Sequence, residues 1–285
     1  MEPLKLFSGT FIINSDIKIL SLCDPFSIHV YGFFACLAVL SLFFLTALDL
    51  RRSAILTFEQ HSSIFSWMII AGVVGARALS VLVDYSYFIL HPLNIFRVWD
   101  GGLSLMGGIL GVILISWLLA RNQNINFLNF ADLISIYAPL MQAIARLGCF
   151  FAGCCYGAPV APSNVFFSVL YKSPTSLAPQ NTWLYPAQLY SVILSLFIFL
   201  IIFSISRFKP FKSGFLFFLY LFLEGVARGG VDFYRGNRFG LDLNIFSVFK
   251  ITLSQTLAFF IAMIGLFGLI WLFFANLNKQ TIIRD

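Results

Sequence analysis

Seven mostly apolar runs divide this chain, at about 28–48, 64–84, 102–120, 129–151, 186–205, 214–232 and 253–275. Each approaches the roughly 20 residues that a helix rising ~1.5 Å per residue needs to cross a bilayer. No other feature constrains the fold as strongly, because backbone in hydrocarbon must satisfy its own hydrogen bonds, and an uninterrupted run does so as a helix. Composition agrees: 60% of residues are apolar, 11% are charged, and 35 Phe stand against 12 Asp plus Glu. A soluble fold of this make-up would expose aggregating apolar surface. That excludes a soluble globular protein, a disordered chain and a disulfide-stapled secreted module. The expectation is an all-α polytopic membrane protein of about seven transmembrane helices, forming a single integral-membrane domain over 1–285.

The formal charge of +6 does not indicate a nucleic-acid partner, because the 18 Lys and Arg are scattered between apolar runs and form no patch. Their placement instead sets an orientation. Alternate loops hold Arg51 and Arg52, Arg121, then Arg207, Lys209 and Lys212, and finally Lys279 and Arg284, against Glu59 and Asp285. On the other side the basic residues are mixed with Asp16, Asp24, Asp84, Asp100 and Asp242. The positive-inside rule then puts the N-terminus outside and the C-terminus in the cytoplasm, as an odd number of spans requires. Residues 1–27 carry Glu2, Asp16 and Asp24 without a small-residue cleavage site, so no cleavable signal is expected there, although a short amphipathic piece is. The longer loops, 152–185 and 233–252, fall on the exterior face.

Arg77, Arg146 and Arg228 interrupt apolar runs. Arginine at bilayer depth costs about 2.5–3.5 kcal/mol even on a lenient insertion scale, so each needs partners. Asp132, Glu224 and Asp232 could neutralise them in helix-to-helix ion pairs. Alternatively the guanidiniums form an anion site, since they bind phosphate bidentately and stay charged in a dry pocket. At that depth the abundant anion is a phospholipid phosphate. Arg228, Asp232 and Arg235 share one helix face at spacings of four and three, which is either a local salt-bridge stack or part of that site.

Three strings stand beside these residues. Trp99-Asp-Gly-Gly-Leu-Ser-Leu-Met-Gly-Gly108 opens the third span, where glycines either expose N–H groups to an anion or permit tight helix packing. Tyr185-Pro-Ala-Gln-Leu-Tyr190 opens the fifth, with proline near a first helical position. Ala145-Arg-Leu-Gly-Cys-Phe-Phe-Ala-Gly-Cys-Cys-Tyr-Gly157 ends the fourth in an irregular, glycine-rich backbone. Its cysteines, Cys149, Cys154 and Cys155, read C-x4-C-C, which is not a zinc or iron–sulfur spacing. Structural thiols or a disulfide, a reactive thiol and a metal site remain alternatives; no metal or cofactor is expected. Of the histidines, His61 falls in a loop and His91 precedes Pro92, so both are expected in solvent, and His29 is expected at the interface.

In this order the strings resemble the family of bacterial prolipoprotein diacylglyceryl transferases. The likeness runs from Tyr31-Gly32 through Gly75-Ala-Arg77, the Trp99–Gly108 string, Ala131-Asp132, Arg146-Leu-Gly-x-Phe to Gly157, Pro186-x-Gln-Leu-Tyr190 and Arg228-x3-Asp-x2-Arg235. It implies an enzyme in the bacterial cytoplasmic (inner) membrane, active toward the outer leaflet. Such an enzyme moves a diacylglyceryl group from phosphatidylglycerol or a related anionic phospholipid to the lipobox cysteine of a preprolipoprotein, releasing glycerol phosphate. By that resemblance Arg146 and Arg228 are catalytic, holding phosphate and stabilising leaving-group charge. Tyr31, Arg77, Gly101, Gly102, Ser104, Gly107, Asp132, Cys149, Gly157, Asp232 and Arg235 would line the substrate cavity.

The chain departs from the family pattern at identifiable positions. Met106 stands where members carry histidine, Cys149 where they carry asparagine, Cys154 and Ser191 where they carry glutamate, Tyr185 for histidine and Asp232 for glutamate. Methionine takes no proton, so a general-base role at 106 is lost. Two other readings follow: a different lipid-group transferase using Cys149, Cys154 or Cys155, and a non-catalytic protein that binds or translocates phospholipid.

Overall fold

A computed structural model describes residues 4–7, 10–13, 18–23, 26–53, 55–97, 102–161, 167–173, 176–208, 211–235 and 252–282. Each apolar run becomes a helix: α1 Val30–Ser53, α2 Phe58–Val83, α4 Leu105–Asn122, α5 Phe127–Ala152, α6 Ala187–Phe208, α7 Phe215–Asp232 and α8 Leu253–Ile282. A short α3, Tyr85–Leu90, and a single 3-10 turn, Pro92–Phe96, follow α2. Among the described residues, six helices are long and apolar enough to cross a membrane. The other long one, α7, carries Glu224, Arg228 and Asp232 within 18 residues, which is why composition sets it apart. Large apolar side chains such as Phe44, Trp67, Leu110, Phe197 and Phe267 lie exposed on the helices, as lipid-facing surfaces require.

α2 begins at Phe58, ahead of the apolar run. Thr57 accepts from the Gln60 backbone N–H at 3.2 Å while Gln60 Oε1 accepts from the Thr57 N–H at 2.9 Å, so a reciprocal cap fixes the start of the helix. The extra turn takes His61 out of the loop where the sequence placed it. His61 is fully buried, its Nε2 2.8 Å from Thr46 Oγ1, so the expectation of a solvated histidine is corrected. His91 is exposed as expected.

The chain forms two compact units, Leu45–Leu133 and the combination of Met1–Phe44 with Ile134–Asp285. In the first, α2 and α4 pack along a seam of small residues. A Cβ on Gly107 would stand 2.2 Å from the Gly75 carbonyl oxygen, so this crossing exists only because position 107 has no side chain. Arg77 caps the same unit from within: its Nε donates to Ile95 O at 2.9 Å and its Nη2 to Arg97 O at 3.1 Å and to Asn94 O, with the guanidinium 5.0 Å from the Phe88 ring centre. These carbonyls satisfy the charge that the sequence left to an ion pair or an anion.

In the second unit α7 packs against α6 and α8. Outside the helices lie short strands. β1 (Leu4–Phe7) and β2 (Thr10–Ile13) form an antiparallel pair, β2 runs parallel to β5 (Val169–Tyr171), and β5 is antiparallel to β6 (Trp183–Leu184). β3 (Lys18–Cys23) and β4 (Phe26–His29) make a separate hairpin. Strands therefore occupy much of the stretch where an amphipathic piece was expected, and part of the long 152–185 loop. Val169, Tyr171, Leu184 and Ala178 close on Phe150 at the end of α5, and Tyr171 Oη donates to Phe150 O at 2.8 Å. This apolar knot fixes the chain just as it leaves the membrane-spanning helix.

Candidate active site

Within that second unit, polar residues at helical spacing meet around one cavity. α5 supplies Gln142 and Arg146, four apart; α7 supplies Glu224, Arg228 and Asp232, each four apart; α6 supplies Gln188, Ser191 and Ser195. Three otherwise apolar helices thus turn their polar stripes toward a common space. Gln142 Nε2 donates to Glu224 Oε1 at 3.3 Å, joining α5 to α7 across it.

The cavity is cationic. Arg146, Arg228 and Arg235 line it against Glu224 and Asp232. Glu224 acts on both Arg146 and Arg228, whose guanidiniums also repel each other. Asp232 is committed elsewhere: only 4% exposed, it accepts from Thr252 Oγ1 and from Ser254 Oγ, each at 2.6 Å. The Arg–Asp–Arg face expected from spacing survives as an Asp232–Arg235 pair at 3.8 Å. Among the described residues, buried Arg235 Nε, Gln142 Oε1 and Gln188 Oε1 have no hydrogen-bond partner. A donor and two acceptors left unsatisfied beside excess positive charge suit an anion that carries hydroxyl groups.

One wall of the cavity is the turn after α5. Gly153 and Cys155 have φ of +72° and +56°, and Cys154 N–H donates back to Cys149 O at 3.1 Å. This left-handed curl reverses the chain so sharply that the sulfurs of Cys149, Cys154 and Cys155 lie within 4.8 Å of one another. Gln188 Nε2 braces the turn through Cys154 O at 2.9 Å. Cys155 lines the cavity, where the charge of the Arg146 guanidinium acts on its thiol. The neighbouring Cys149 and Cys154 thiols, and then the Arg146 and Arg235 guanidiniums, hold the Cys155 thiol well below its usual range despite burial. Spacing alone had argued against a metal at these residues, yet the three thiols present a compact donor set.

Gly157 follows, bridged to Arg235 by backbone pairing. A Cβ there would stand 2.1 Å from Tyr185 O, so the close approach of this segment to Tyr185 depends on glycine. Tyr31 opens α1 half-exposed, with its Cα 3.6 Å from the position a Gly148 Cβ would take. Arg146, Arg228, Asp232 and Arg235 are thus brought together, with Cys149, Gly157 and Tyr31 beside the turn that walls them. Arg77, Gly102, Ser104, Gly107 and Asp132 belong to the other unit. There Gly102 sits near Arg77, with its Cβ position 3.7 Å from Nη1, and Ser104 N–H donates to Ala76 O at 3.1 Å. Gly107 serves helix packing, Asp132 is half-buried on α5, and Gly101 lies outside the described residues. Sequence reasoning missed Gln142, Gln188, Ser191 and Ser195 as lining groups and used Glu224 only as a counter-charge. The spacing of Gln142 to Arg146 and of Glu224 to Arg228 was the available signal.

Fold and site together define a polytopic membrane protein with a cluster of buried guanidiniums lining one cavity. The chain belongs to the prolipoprotein diacylglyceryl transferase family, whose profile matches residues 18–271. It is 34% identical over 250 residues to a phosphatidylglycerol–prolipoprotein diacylglyceryl transferase of Clostridium tetani, covering 86% of this chain and 94% of that one. It is 31% identical to the protein of that name from Bordetella avium over 74% of this chain and 78% of the relative. For the Pseudoalteromonas atlantica protein of that name the figures are 29%, 90% and 89%.

Proposed function

We propose that this protein transfers the diacylglyceryl group of phosphatidylglycerol to the lipobox cysteine of a preprolipoprotein. The observation that carries this reading is the cavity itself: three guanidiniums over two carboxylates, one of them already committed to hydroxyls, in a helical membrane fold of this family. Arg146 and Arg228 hold the phosphate. The acceptor sulfur attacks the glyceryl carbon, the carbon–oxygen bond to phosphate breaks, and its electron pair stays on the phosphate oxygen. The thiol proton ends on the released glycerol phosphate. Donors fixed before the reaction stabilise the charge gathering on that oxygen without reorganising. Gln142 Oε1 and Gln188 Oε1 suit the hydroxyls of a glycerol headgroup, which a zwitterionic choline lipid lacks.

The same reading places the protein in the bacterial cytoplasmic membrane with its N-terminus outside, its C-terminus inside and its cavity toward the outer leaflet. The test is mass spectrometry of a lipobox peptide incubated with the protein and phosphatidylglycerol in nanodiscs. A diacylglyceryl adduct on the peptide cysteine, absent with Arg146→Ala, is the expected result. No adduct, with an active family member run in parallel, overturns it.

A further inference from the structure

The transfer reaction needs a thiolate, and position 106, where the family's histidine would stand, holds Met106, which cannot accept a proton. The cavity wall offers a different route to the same species. Cys149, Cys154 and Cys155 bring three sulfurs within 4.8 Å of one another. Three thiolates on one zinc ion at ~2.3 Å stand about 3.8–4.0 Å apart, so the turn must close by an ångström or less to bind. The curl that gathers them is fixed from outside the cluster by Gln188 on Cys154 O. Cys155 faces the cavity, which gives an ion and a fourth ligand their way in.

Donor chemistry selects the ion. A set of thiolates without carboxylate excludes magnesium and calcium and favours a thiophilic cation. Three protein ligands with one open position is the arrangement of a reactive rather than a structural zinc site. Charge agrees as well: three thiolates on a divalent ion leave one net negative charge, and a fourth adds another, beside the Arg146 and Arg235 guanidiniums that act on Cys155.

We infer that Cys149, Cys154 and Cys155 form a zinc site whose open fourth position takes the acceptor thiol and presents it to the lipid as a thiolate. Zinc binding releases the three cysteine protons to solvent. The acceptor thiol gives its proton to solvent on coordination, since a metal-bound thiol is deprotonated outright, and the released glycerol phosphate later takes one up from solvent. Its sulfur then forms the bond to the glyceryl carbon as the carbon–oxygen bond to phosphate breaks. The zinc is neither oxidised nor reduced, and the thioether product, a weaker ligand, leaves. The acceptor role rests on the transferase reading above; the metal site does not.

The full-length protein, reduced and in detergent, is loaded with Zn(II) or its coloured stand-in Co(II), desalted and measured for metal per chain. One ion per chain is expected, with a thiolate-to-Co(II) charge-transfer band, and at least a tenfold loss of metal affinity in each of C149S, C154S and C155S. Failure of the wild-type protein to hold one ion overturns the site, whatever the variants do. A lipobox peptide is then added to the Co(II) protein without phospholipid. The band rises by about a third as a fourth thiolate joins three, and does not rise with the Cys→Ser peptide. An unchanged band overturns the acceptor role. So does undiminished transfer by protein shown to be metal-free. A protein that binds the ion and the peptide thiol but transfers nothing overturns the transferase reading and leaves the zinc site standing.

Discussion

Gln188 Nε2 donates to Cys154 O at 2.9 Å, across 34 residues of sequence, from the first turn of α6 to the turn that ends α5. The same nitrogen lies 3.4 Å from Tyr171 Oη, and the residue is 1% exposed. One amide therefore holds the cysteine turn against both α6 and the small sheet. Gln188→Leu removes the bond to the partly buried Cys154 carbonyl, which costs about 0.5–1.5 kcal/mol. Thermal unfolding in detergent is expected to show a lowered Tm, with Gln188→Glu, which cannot donate as a carboxylate, no better. An unchanged Tm would mean that the turn holds itself.

Arg146 and Arg228 approach the cavity from different helices, α5 and α7, and each is one donor group in a preorganised set. Removing one such donor group typically costs 10²–10³-fold in kcat. Arg146→Ala and Arg228→Ala are each expected to lose activity on that scale, measured as adduct formed per minute on a lipobox peptide. Lysine at either position keeps the charge but not the planar fork, so it recovers only part of the rate. Full activity in the double alanine variant would remove phosphate binding by this pair.

Helix positions were legible because a bilayer-length apolar run has one structural solution. α7 was legible as the run 214–232 even though Glu224, Arg228 and Asp232 break it. The start of α2 was not, because Thr57 and Gln60 act through a local cap that hydropathy does not register, and His61 was misplaced with it. The guanidinium pair was legible from the cost of arginine at depth. Arg77 looked equivalent by that measure, but backbone carbonyls of Asn94, Ile95 and Arg97 satisfy it, and no sequence pattern announces carbonyl partners. The cysteine cluster failed for a related reason. C-x4-C-C is judged by spacings drawn from regular motifs, whereas here positive φ at Gly153 and Cys155 folds the spacing onto itself.

The glycines of the Trp99–Gly108 string divide by role, and Gly107 tests the packing role. Its Cβ would meet Gly75 O at 2.2 Å and Leu79 Cβ at 2.6 Å, both across the α2–α4 crossing. Backbone cannot yield as a flexible side chain can, so Gly107→Ala forces the helices apart, and overpacking of this kind costs about 1–3 kcal/mol. The expected outcome is a lower Tm with reduced yield of folded protein. Gly108→Ala, whose nearest contact would be at 3.2 Å, is expected to lose less.

Thr252 serves two structures at once. Its hydroxyl donates to Asp232 Oδ2 at 2.6 Å and accepts the Gln255 N–H at 3.2 Å, while Gln255 Oε1 accepts the Thr252 N–H at 3.1 Å, a second reciprocal cap that starts α8. Ser254 reaches the other Asp232 oxygen at the same distance, but Thr252 is 3% exposed and Ser254 is half-buried. Loss of the Ser254 hydroxyl admits water to the carboxylate; loss of the Thr252 hydroxyl does not. Thr252→Val therefore loses a charge-assisted bond and a cap, of which the cap alone costs about 0.5–2 kcal/mol. It is expected to destabilise more than Ser254→Ala, with Thr252→Ser restoring most of the difference because it restores the hydroxyl. Denaturation midpoints of the three variants in one detergent decide it. Equal losses at both positions would show that Asp232 is reached by water from either side.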